Sequence, residues 1–252
     1  MIKKLMVTLP ALMGEKKRRA YIYLPKSYFR DQDRRYPVLY MFDGHNVFFD
    51  NDATYGVSWG LKDYLDYDKT ELIVAAVECN HGKNHDRLKE YSPFTFFDEH
   101  LGKIRGLGPK TMSWFTKSFK PFIDEHYRTL ADRDHTYIAG SSMGGLMAIY
   151  ALFRYNHIFS KAAALSPSLW TDPAQLKELI ARYSVRENTT LYMDYGSLEM
   201  ANHEGMRELF KEFSELLYDK GVFLTSRIVP YGEHCEACWA KQVPVFINIL
   251  LE

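Results

Sequence analysis

Cysteine is scarce in this chain: Cys79, Cys235 and Cys238 are all that 252 residues contain. Three thiols cannot build a disulfide framework, and they fit a reducing, cytoplasmic compartment. An excess of charge is missing too, because 32 Lys+Arg balance 32 Asp+Glu. A chain without net charge is not built to bind nucleic acid or an acidic membrane surface. No apolar run approaches the roughly 18 residues of a membrane span. A secretory signal is not expected either. Lys3 and Lys4 precede the apolar Leu5-Met6-Val7-Thr8-Leu9, but Pro10 interrupts the stretch and no small-residue cleavage pattern follows. That segment reads as a first strand, and the basic run Lys16-Lys17-Arg18-Arg19 as a solvated hairpin loop. Repeats, low-complexity tracts and linkers rich in Pro, Gly and Ser are also missing, so a single domain over residues 1–252 is expected.

Aromatic residues, in contrast, are abundant at 15%, which supplies large side chains for packing helices on a sheet. Short β-branched or aromatic runs predict strands at 20–24, 38–41, 72–77, 136–139, 162–165, 191–194 and 226–229. Several are apolar almost throughout, as strands covered on both faces are. Helical periodicity predicts helices over 58–67, 114–126, 144–155, 173–183, 204–218 and 239–251. Strand and helix alternate from about Val38 onward. This predicts an α/β domain with a mostly parallel sheet and helices on both faces, after an antiparallel start.

The sharpest local signal is Gly140-Ser141-Ser142-Met143-Gly144, which reads G-x-S-x-G. The predicted strand 136–139 precedes it and a helix follows. That context predicts a nucleophile elbow presenting Ser142, with glycines where side chains would collide with strand and helix. Ser141 lies one position off the elbow and is expected to orient the turn. The helix N-terminus behind Ser142 offers free N–H groups for a developing oxyanion.

A serine nucleophile needs a histidine base held by a carboxylate, in the chain order Ser, acid, His. Three histidines follow Ser142. His157 comes too early, and His203 follows the candidate acids with no strand between. His234 follows the last predicted strand, on the edge of the sheet where the elbow opens. Asp194 and Glu199 both qualify as the acid. Glu199 is favoured because it lies past the turning Gly196, where its side chain can swing toward the histidine. Asp194, at the strand end, is the alternative and is otherwise expected to brace the loop. The second oxyanion donor is expected from the loop after strand 38–41, where Gly44 permits a sharp turn. The His45 N–H would pair with the Met143 N–H, and the His45 ring as a metal ligand or second base is the lesser reading. Asn46 beside it, and Trp170 after strand 162–165, are expected to line the substrate pocket. Phe48 and Tyr91 are weaker aromatic candidates at the same edge.

Two further features carry weaker signals. Cys235 and Cys238 flank Glu236 and Ala237 beside His234, but a zinc site would need a second ligand pair, and Cys79 alone does not supply it. They read as ordinary thiols at a helix start, with oxidation near His234 as a side possibility. The polar stretch 80–108 reads equally as a segment closing over substrate or as a solvated connection.

These residues together resemble the putative esterase family of α/β-hydrolases, the esterase D-like group. The resemblance runs along nearly the whole chain. It includes Tyr23-Leu24-Pro25, Tyr36-Pro37-Val38-Leu39-Tyr40 running into Asp43-Gly44, Arg87, and Glu90-Tyr91-Ser92-Pro93. It continues through Gly140–Gly145, Ser166-Pro167-Ser168-Leu169-Trp170, Gly196-Ser197-Leu198-Glu199 and Gly232-Glu233-His234. It implies Ser142 as nucleophile, His234 as base and Glu199 as acid, where many relatives carry Asp. The stretch from Asp43 to Phe48 is more similar to the siderophore-esterase branch than to S-formylglutathione hydrolases, which usually show Gly-Leu with a following Thr-Cys where this chain has Gly44-His45-Asn46. The expectation is therefore a serine esterase acting on a small-molecule ester through an acyl-enzyme, without cofactor or metal and without a nucleic-acid or membrane partner. A thioesterase with the same triad and an inactive binding protein on the same scaffold are the alternatives.

Overall fold

A computed structural model describes residues 1–252. Ten strands are present: β1 (Ile2–Thr8), β2 (Lys17–Tyr23), β3 (Val38–Met41), β4 (Ile73–Val77), β5 (Phe96–Asp98), β6 (Gly102–Ile104), β7 (Thr136–Ser141), β8 (Lys161–Leu165), β9 (Thr190–Gly196) and β10 (Phe223–Val229). Eight of them form one sheet in the order β1-β2-β4-β3-β7-β8-β9-β10. β1 and β2 pair antiparallel, β2 meets β4 antiparallel, and every later pairing is parallel. The predicted α/β architecture with an antiparallel start is therefore the observed one. β5 and β6 form a separate hairpin that the sequence reading did not separate from the polar stretch 80–108.

Successive side chains on a strand face opposite sides, and the sheet uses both. Val38 and Tyr40 of β3 join one buried cluster with Phe119, Leu146 and Phe153. Leu39 and Met41 join the other with Leu61, Trp239 and Phe246. The helix Met143–Arg154 is buried from Met143 through Phe153, because it lies between the sheet and neighbouring helices. The helix Val243–Leu251 covers the opposite face. No helix is long and apolar enough to cross a membrane.

Two readings are corrected. The helix predicted over 114–126 begins earlier, at Gly108, and passes through one π turn at Phe115–Phe119 before continuing over Lys120–His126. There, Trp114 stacks on Phe119 with centroids 5.0 Å apart. The basic run is not a solvated loop. Lys17, Arg18 and Arg19 belong to β2, and Arg18 is buried against Glu90. Arg18 also donates to the Glu78 carbonyl at 3.0 Å, so its charge is fully partnered. The pair fixes the short helix Asp86–Glu90 against the sheet edge.

Candidate active site

Parallel register sets which loops meet. Met41 pairs with Ala139, Ser141 with Leu165, Leu165 with Asp194, and Gly196 with Val229. The turns after β3, β7, β8, β9 and β10 thus leave the same carboxyl edge side by side, where open α/β sheets place their ligands.

Ser142 occupies the turn between β7 and the helix Met143–Arg154, with φ 56° and ψ −123°. This is strained backbone for a residue with a side chain, and the surrounding structure must hold it. Ser142 N–H donates to the Leu165 carbonyl at 2.9 Å, and Leu146 N–H returns to the Ser142 carbonyl at 3.0 Å. A Cβ on Gly140 would sit 2.7 Å from the Gly144 backbone, so the close approach of strand end and helix start requires glycine there. The Ser142 hydroxyl lies 3.4 Å from the Ser168 hydroxyl.

His234 and Glu199 meet across two neighbouring turns. His234 Nδ1 is 2.5 Å from Glu199 Oε2. The other carboxylate oxygen, Oε1, accepts the Gly196 N–H and the Ser166 hydroxyl, each at 2.5 Å. Ser166 in turn accepts from Trp239 Nε1 at 2.9 Å, and the Trp239 ring stands edge-on to the imidazole at 5.0 Å. Glu199 is thereby buried and held from three directions. The turns are locked together as well: Leu198 N–H donates to the Gly232 carbonyl at 3.0 Å, and Ser197 N–H to the Val229 carbonyl at 2.9 Å. Gly196 allows this, since a Cβ there would lie 2.3 Å from the Gly232 oxygen.

Asp194 has different partners. It accepts from the Tyr192 hydroxyl at 2.6 Å and from Ser166 N–H at 3.2 Å. Burial pushes its carboxyl up to about 6, against the pull of the Tyr192 hydrogen bond. Of the two candidate acids, the carboxylate bonded to His234 is Glu199.

His45 and Asn46 lie in a single 3-10 turn, Gly44–Asn46, directly after β3. A Cβ on Gly44 would meet the Ala76 backbone at 2.8 Å, so the turn presses against β4. Asp43 enters the turn in the left-handed region at φ 53°. Burial raises the Asp43 carboxyl, but the Arg87 guanidinium outweighs it and holds the group below the usual carboxylate range. Arg87 grips both Asp43 oxygens, at 2.9 and 2.7 Å. The Asn46 amide donates to Glu236 at 2.9 Å and its carbonyl accepts Thr54 N–H at 2.9 Å.

A cavity of about 380 Å³ opens here. Its wall includes His45, Asn46, Arg87, Ser142, His234 and Trp239, and only 4 of its 17 lining residues are apolar. Asn46 is therefore at the cavity. Trp170 is not brought to it. Its ring stacks on His203 at 4.5 Å and packs edge-on to Phe96 at 6.2 Å, at the β5–β6 hairpin. Phe48 packs on Tyr21 and Tyr23 and is not in the cavity wall. Tyr91 stays at the edge through its hydroxyl, which accepts Asp43 N–H at 3.2 Å. The sequence reading missed the parts played by Ser166, Trp239 and Glu236. Nothing local marks them, since each matters through partners distant in the chain. Cys79 lies away from Cys235 and Cys238, beside His45 and His81.

A strained serine and a carboxylate-held histidine thus stand together on the carboxyl edge of an α/β sheet. The chain belongs to the family described as "Putative esterase", whose model matches residues 11–245. It is a carboxylic ester hydrolase. The chain is 28% identical over 243 residues to the uncharacterized protein YbbA of Bacillus subtilis, covering 92% of this chain and 91% of that one. Among solved structures it is similar to an IroE-like serine hydrolase from Shewanella oneidensis. That match has a TM-score of 0.75 and 20% identity, and covers 100% of this chain and 79% of that one. It is also similar to the siderophore hydrolase EstA from Aspergillus nidulans, with a TM-score of 0.72, 16% identity, and coverage of 98% and 94%.

Proposed function

We propose that the protein hydrolyses a small, polar carboxylic ester through a Ser142-His234-Glu199 triad and an acyl-enzyme. The observation that carries this reading is the pairing of His234 Nδ1 with Glu199 in the wall of the cavity that Ser142 also lines. Glu199 on Nδ1 fixes the tautomer in which Nε2 is free to accept a proton. In the proposed cycle the Ser142 hydroxyl turns from Ser168 toward that nitrogen, gives up its proton, and attacks the acyl carbon. The N–H groups of Met143 and His45 receive the oxyanion. Both stand at the start of a helical turn, where backbone donors lack intrahelical partners. The imidazolium then returns the proton to the leaving alcohol, and water releases the acyl group by the reverse sequence.

A wall this polar favours a substrate dense in hydrogen-bonding groups over a long acyl chain. Siderophore esters, suggested by the name of the EstA relative, are of that kind. The three free thiols accord with action in the cytoplasm. The test is a kinetic comparison of short acyl, hydroxycinnamoyl, acetylated-sugar and siderophore-lactone esters, with a thioester as control, on the protein and on Ser142→Ala. Turnover concentrated on polar esters and abolished in the variant is expected. Turnover that survives in Ser142→Ala removes the triad, and a preference for the thioester replaces the ester assignment.

A further inference from the structure

His45, Cys79 and His81 bring one ligand atom each to within 4.8 Å of one another in the wall of the active cavity. They come from two loops, after β3 and after β4, that the parallel pairing of those strands sets side by side. His45 is 3% exposed, and its Nδ1 is buried without a hydrogen-bond partner. Such an orphan costs free energy unless something fills it. Its other nitrogen, Nε2, lies 3.0 Å from the Thr54 hydroxyl. With the Nε2 proton donated to Thr54, Nδ1 keeps a bare lone pair. A hydrogen bond on one nitrogen that leaves the other free for a metal is the usual arrangement of a ligating histidine.

The spacing fits a small thiophilic ion. Cys79 Sγ and His81 Nδ1 are 3.9 Å apart. Zinc bonds of about 2.3 Å to sulfur and about 2.0 Å to nitrogen, at a tetrahedral angle, place those atoms roughly 3.5 Å apart. The His45 and His81 rings are edge to face at 4.5 Å, close enough to share one ion. The nearby Arg87 charge is taken up by Asp43 and does not repel a cation unopposed.

We propose that His45, Cys79 and His81 form a binding site for a thiophilic divalent cation such as Zn2+, with the fourth position open to the active cavity. Binding expels the Cys79 thiol proton to solvent and leaves thiolate on the metal. The ion is not part of the hydrolytic cycle. It sits on the His45 loop and narrows the cavity, so its second effect is inhibition of turnover, a consequence that rests on the esterase reading.

Co2+ titration of the full chain, followed by the near-ultraviolet thiolate-to-cobalt charge-transfer band, tests binding without any turnover. The expected result is one saturable equivalent, bleached when Zn2+ displaces cobalt. The band should be lost in Cys79→Ser and in His81→Ala, and kept in the Cys235→Ser/Cys238→Ser double variant. His81 is exposed, so its variant keeps the test valid if Cys79→Ser fails to fold. Thr54→Val should weaken the metal about 10–100-fold by releasing the His45 ring. No band, a band unmoved by His81→Ala, or one lost in the double variant would overturn the site. A Zn2+-bound protein with undiminished ester turnover would overturn the inhibition alone. A protein with the band but no turnover on any ester would instead count against the esterase reading.

Discussion

Asp194 and Glu199 come from the same strand and the turn after it, and their partners separate them. Glu199 is bonded to the His234 ring and Asp194 to Tyr192 and the Ser166 backbone. Glu199→Gln would present an amide to Nδ1 and disturb the tautomer. We expect kcat to fall by about 10³–10⁴-fold, the scale seen when a triad acid is replaced by its amide. Asp194→Asn should stay within about tenfold, since that side chain does not touch His234. Steady-state kinetics on one activated ester decides between them, and the reverse ranking would move the acid to Asp194. Ser166→Ala removes a hydroxyl that donates to Glu199 and accepts from Trp239. A lost hydrogen bond to a charged group is worth about 1.5–3 kcal/mol, which predicts roughly a 10–100-fold loss of kcat with little change in KM. Ser142 was legible at this scale because its signal is local: glycines and serine within one turn. The choice between the two acids rested on the turning Gly196, and the contact itself spans 35 positions in sequence.

At the scale of elements, the short helix Asp86–Glu90 links the core to the site. Glu90 is held by buried Arg18, and Arg87 on the same helix grips Asp43, which starts the His45 turn. Arg18 and Glu90 are each 3% exposed in their side chains. Burial raises the Glu90 carboxyl despite the Arg18 hydrogen bond and charge, so the acid depends on its partner to stay ionised. Arg18→Ala leaves that carboxylate buried and unpaired, which we expect to cost about 3–5 kcal/mol. Urea unfolding would measure it, and a loss under about 1 kcal/mol would show that the pair is not structural. This link was hidden in the sequence. A run of four basic residues looks like a solvated loop, but Arg18 lies on the same face of β2 as the buried Ala20 and Ile22, which turns it inward toward Glu90. The β5–β6 hairpin was hidden for a related reason. Its strands are three residues each, too short to show a period.

The whole molecule carries an opposed pair of pH responses. Asp194 titrates near 6 when folded and near 3.8 as a free side chain. Between those values the folded chain keeps a proton that the unfolded chain has released. Its contribution to stability therefore falls as pH rises through that window, by up to about 1.4 kcal/mol per pH unit. Asp43 acts the other way, below the window. Its carboxyl is held low by Arg87 against the effect of burial, so its contribution is present above 3.8 and is lost as pH falls through its lower folded value. Urea midpoints across pH 4–7 should show the first effect as a downward slope that Asp194→Asn flattens. An unchanged slope would mean that Asp194 is ionised throughout. The architecture itself was legible at this scale, because alternating apolar strands and amphipathic helices repeat along most of the chain. The aromatic share divides by place. Phe115 and Phe119 pack on the sheet, while Trp239, read as the opening of a terminal helix, lies in the separate short helix Glu236–Ala240 and stands against His234.

The proposed function requires Ser142 to be a nucleophile activated by His234 under Glu199. A fluorophosphonate probe followed by peptide mass spectrometry tests it most directly, because stable phosphonylation requires an activated serine and no knowledge of the substrate. We expect one adduct, on the peptide containing Ser142, formed far more slowly in His234→Ala and absent in Ser142→Ala. An unlabelled native protein, or an adduct on another residue, would contradict it.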